Sequence, residues 1–65
     1  MDQKKRLSVI IEHWMEHNQS HREEYKRWAQ TADELGLDSV KKEIEGAMEM
    51  IFQANKHLEK ALKAL

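Results

Sequence analysis

An all-α fold is predicted by three features of the chain. Apolar residues recur at alternating spacings of four and three, proline is absent, and one of the two glycines, Gly36, sits at the centre of that pattern. The pattern predicts an antiparallel two-helix hairpin, with helices at about residues 3–35 and 39–64, in a single domain spanning 1–65. Asp2 is the expected N-cap of the first helix, with Ser8 as the alternative. The first stripe then runs Leu7, Ile11, Trp14, Asn18, His21, Tyr25, Trp28, Ala32, Leu35. Gly36 is the stop signal, because glycine takes the left-handed conformation without a Cβ penalty. Leu37 should fold back on Ala32, and Asp38 or Ser39 should cap the second helix. The second stripe runs Leu37, Val40, Ile44, Ala47, Ile51, Ala54, Leu58, Ala61, Leu65. Folding at Gly36 sets Ala32 against Val40, Trp28 against Ile44 and Tyr25 against Ala47. Only Asn18 and His21 interrupt the apolar run.

Composition narrows the classes of function. The 65 residues are 40% apolar and 35% charged, and the net charge is −1. Lys and Arg alternate with Glu, so there is no basic face for nucleic acid. No apolar run approaches the ~20 residues of a membrane span, so a membrane partner is not expected. Met1–Arg6 is basic but no continuous apolar segment follows, unlike a secretory leader. The absence of cysteine excludes disulfides and thiolate chemistry and fits a cytoplasmic protein.

One hairpin buries only one stripe per helix. Ile10, Met15, Met48, Met50, Phe52 and Leu62 flank the stripes and would stay wet. A chain this small rarely folds on such a core alone. The expected solution is a homodimer forming a four-helix bundle, with a tetramer as the competing assembly and an unidentified protein partner left open.

The histidines carry the functional signal. His13, His17 and His21 recur every four residues, which sets them on adjacent turns of one helix face. Such i, i+4 pairs bind transition metals, and imidazole with carboxylate suits Zn, Ni or Co. The candidate ligands are His17 and His21, assisted by His13 and Glu16; Glu12 and Glu24 are also near. That site would make the protein a metal carrier, buffer or sensor. The alternative is a structural or protein-interaction module without metal. In it His17, Asn18, His21 and Asn55 form a buried polar cluster that fixes register and oligomeric state. A register device of this kind costs stability, so Asn18→Leu or His21→Leu is expected to raise it. His57 stands apart and is expected to be exposed. An enzyme is not expected. His13–His17 matches the H-x-x-E-H peptidase pattern, but there is no third ligand downstream and no cleft. Ser8, Ser20 and Ser39 have no base and orienter to activate them.

From Tyr25 onward, through Trp28-Ala29, Ala32, Gly36 and Val40, the chain resembles a ferritin-like hairpin of the rubrerythrin type. That family carries a Glu seven residues before the tyrosine and a Glu-x-x-His motif on the next helix. Asn18, Ile51 and Ala54 occupy those positions, so the resemblance implies the hairpin and not the di-iron chemistry. The stretch from Glu12 to His21 is also similar to small, uncharacterised helical proteins of anaerobic bacteria and archaea.

Overall fold

A computed structural model describes residues 2–65, and Met1 lies outside them. Two helices, α1 (Gln3–Glu34) and α2 (Asp38–Ala64), pack as an antiparallel hairpin about 51 × 16 × 10 Å. No strand occurs among the described residues. The Asp2 side chain caps α1 by accepting from the Lys4 amide at 3.0 Å.

The turn satisfies the last carbonyls of α1. The Gly36 amide donates to Asp33 O at 3.0 Å and the Leu37 amide to Ala32 O at 2.9 Å, the paired bonds of a Schellman motif. Gly36 takes φ +72°, the region that a Cβ disfavours. A Cβ there would meet no neighbouring atom, so the cost of Gly36→Ala is backbone strain alone. The substitution is expected to remove about 1–2 kcal/mol and lower the melting temperature by several degrees, measured by circular dichroism. At α2 the cap differs from expectation. Leu37 is the N-cap residue and makes no side-chain cap bond, while Asp38 is already helical. Asp38 instead places a negative charge in the first turn, which favours the helix dipole.

Lys41 bridges the turn to Asp33 at 3.3 Å. The hydrogen bond to Asp33, with the charges of Asp33 and Glu45, holds the Lys41 ammonium above its ordinary value of 10.5. The contribution is therefore present below that value and lost only as pH rises through the raised one. Solvent reaches both partners, so it is small.

The packed stripe is turned by one residue from the expected one. Ile11, Asn18, Tyr25 and Ala32 on α1, with Ile44, Ile51 and Leu58 on α2 and its C-cap residue Leu65, belong to both. Between them the hairpin packs Met15, Arg22 and Ala29 in place of Trp14, His21 and Trp28, and Met48, Asn55 and Leu62 in place of Ala47, Ala54 and Ala61. The physical reason is steric. Two indoles between only two helices would hold them apart, whereas alanine lets the backbones approach and methionine bends to fill what remains. The core that results is slender. Ile11, Ala29 and Ala32 are the only buried residues among those described, each 5% exposed.

Arg22 enters this stripe at a price. Its guanidinium lies 5.0 Å from the Phe52 ring centre and Lys56 covers the same ring at 4.6 Å, but Arg22 Nε is buried without a partner. Arg22→Leu removes that orphaned donor and keeps an apolar side chain beside Phe52. It is expected to gain about 1 kcal/mol, read as a higher urea midpoint.

Candidate functional site

Turning the stripe leaves a second four-three series on the outside of α1. It runs Leu7, Ile10, Trp14, His17, His21, Glu24, Trp28, Thr31, Leu35. Except for half-buried Thr31, every member is exposed, and Trp14 and Trp28 are 47% and 61% exposed. On α2 the corresponding residues are Val40, Ala47, Ala54 and Ala61, spaced by seven and all exposed. The two sets share one face of the hairpin. Glu24, Tyr25 and Trp28 line an open apolar groove together with Val40, Ile44 and Ala47. The opposite face is polar, where Gln19, Arg22, Glu23 and Lys26 surround Met48.

The histidine ladder lies along this α1 face, with Trp14 before its inner pair and Trp28 after it. The His13 and His17 rings are 6.2 Å apart and nearly parallel. His17 and His21 approach to 4.5 Å, edge to face, and His21 lies 6.3 Å from Tyr25. All three imidazoles are exposed in the single chain. Glu16 shares a shallow depression with His13, His17 and Ser20. Among the described residues, no three ligating side chains converge within one chain. His57 is exposed near the end of α2.

Of the four residues expected to cluster, the two asparagines come together. Asn18 Nδ2 donates to Asn55 Oδ1 at 2.9 Å, and Asn55 Nδ2 donates to Met15 O at 3.2 Å. Both are half-buried. His17 and His21 stay on the solvent side, because the one-residue turn sets Asn55 opposite Asn18 and not opposite His17. Glu24 lines the groove on this face, and sequence reasoning gave it little weight. The available signal was the second series itself, in which Glu24 follows His17 and His21 at the same spacing.

No helix among the described residues is long and apolar enough to cross a membrane. No curated protein and no solved structure matches the chain. Residues 7–65, which hold most of α1, the turn, all of α2 and the histidine face, match the family described as Domain of unknown function (DUF8180), and the chain belongs to that family.

Proposed function

We propose that this chain is a self-association module: two copies join through the Trp14–Trp28 face as a homodimeric four-helix bundle. The observation that carries the reading is the contrast, among the described residues, between three buried ones and two exposed tryptophans on one face. So slender a core does not hold a chain of this size folded alone, and burying the second series supplies the missing apolar contact. The occupant is a second copy because the face complements itself. Large side chains at Trp14, His21 and Trp28 recur every seven residues on α1, and Ala47, Ala54 and Ala61 recur every seven on α2. A two-fold axis lays each large column over the partner's small one, the interdigitation that bundle cores use. The polar face, where Phe52 is flanked by the cations Arg22 and Lys56, offers no such match. Sedimentation equilibrium across a concentration series tests this. The expected species has twice the chain mass of 7.7 kDa. A monomer at about 100 µM overturns the reading, since an interface that completes a core holds well below that concentration.

The histidine face favours a second reading, in which the dimer handles a transition metal as a carrier, buffer or sensor. The close His17–His21 pair supports it.

A further inference from the structure

We infer that His17 and His21 of two copies form one transition-metal site at the dimer interface, a site that neither copy completes alone. This rests on the dimer proposed above. His17 and His21 lie between Trp14 and Trp28 on the same α1 series, so docking that covers the tryptophans also covers the imidazoles. Their rings are already 4.5 Å apart. Two imidazoles on one tetrahedral ion have ring centres about 5 Å apart, a small rotamer adjustment away.

One copy supplies only this pair, and among the described residues no third ligating side chain joins it. A closed tetrahedral site needs four ligands. The two-fold axis doubles the pair to four imidazoles, which is a full set for a single ion. Burying four imidazoles in an apolar interface without partners is costly, and one ion satisfies a nitrogen on each. Nitrogen donors alone do not choose among the later transition metals, but a closed tetrahedral set of four favours Zn or Co over Cu or Ni, which prefer square-planar or tetragonal sites. Glu24 follows His21 by one helical turn on the same face. Its carboxylate is suited to accept the second ring N–H of His21, which fixes the tautomer that binds. His13 lies off this series, and its ring sits 6.2 Å from His17 on the far side from His21. It is left out of the site.

Untagged protein titrated calorimetrically with Zn²⁺ near neutral pH, beside sedimentation of the same samples, tests the assignment. The expected result is one ion per two chains. His17→Ala and His21→Ala should each weaken binding at least about 100-fold and His13→Ala by no more than about twofold, as the four-ligand site requires. Glu24→Gln should cost about tenfold, the usual effect of losing a carboxylate behind a ligating histidine. Co²⁺ should give the visible absorption of a tetrahedral site, which His17→Ala abolishes while leaving the dimer mass unchanged. A dimer that binds no Zn²⁺ overturns the site and leaves the dimer standing. One ion per chain, or unchanged affinity in monomeric Trp28→Glu, assigns the metal to the intrachain ladder and overturns the shared site. A wild-type chain that stays monomeric with and without Zn²⁺ overturns both readings.

Discussion

Trp28→Glu is expected to turn the dimer into monomers, raising the dissociation constant at least about 100-fold. Trp28 lies outside the packed stripe and is 61% exposed in the single chain. The substitution therefore spares the stripe on which the two helices meet. In the dimer the same position is covered, and a carboxylate there is desolvated without a counter-charge. It also stands near Glu24 and Glu43, which line the same groove and repel it. Large aromatic anchors at the centre of an interface carry most of its energy, so one residue suffices. Sedimentation at several concentrations reads the change directly. Helical content should fall with it, because the monomer retains only the core of Ile11, Ala29 and Ala32. A charge change on the outer surface of α2, Lys60→Glu, should leave the dissociation constant within about threefold, since exposed charges away from the contact have small effects. Equal loss in both variants would mean that the Trp28 face is not the interface.

Asn18→Leu is expected to destabilise the protein by about 1–2 kcal/mol, while Asn18→Leu with Asn55→Leu should restore or exceed the original stability. The single change strands Asn55 Oδ1, which takes its hydrogen bond from Asn18 Nδ2. Asn55 is held in place by its second bond, to Met15 O, and does not swing out to water freely. The double change removes both polar groups and fills the layer with apolar atoms. Its cost is specificity. A polar pair at one layer penalises every register but its own, so the double variant should show mixed oligomers by native mass spectrometry. Urea midpoints of the two singles and the double form a cycle that isolates the pair. A single Asn18→Leu more stable than the original would show that the bond contributes nothing. Sequence reasoning expects that very gain, because it sees Asn18 as a polar break opposite Ala54. The hydrogen bond to Asn55 reverses the sign.

The helices and the turn were legible because their causes are local. Asp2 caps the following amides whatever else the chain does, and Gly36 takes a positive φ because its own geometry permits it. The spacing of apolar residues likewise reports a helix without reference to a partner. The candidate site was legible as a ladder of residue types but not as a place. His17 and His21 are adjacent on any helix because of their i, i+4 spacing, but the 4.5 Å approach is set by their rotamers, since His13 and His17 at the same spacing are 6.2 Å apart. Whether they face the other helix or the outside depends on which stripe the hairpin closes.

That choice separates what each level decides. By itself the sequence determined two helices, the Asp2 cap, the glycine turn and a histidine face, since each follows from backbone conformation and a period of 3.6 residues. It contains two overlapping four-three series, which share members or neighbours at every turn, and periodicity ranks them equally. Only the tertiary structure decided between them. Packing two helices closely admits Ala29, Met48 and the Asn18–Asn55 bond at the seam and turns Trp14 and Trp28 outward. The reason is that close packing depends on the shapes of both surfaces at once, and a shape that exists only when two helices meet is not written in either one.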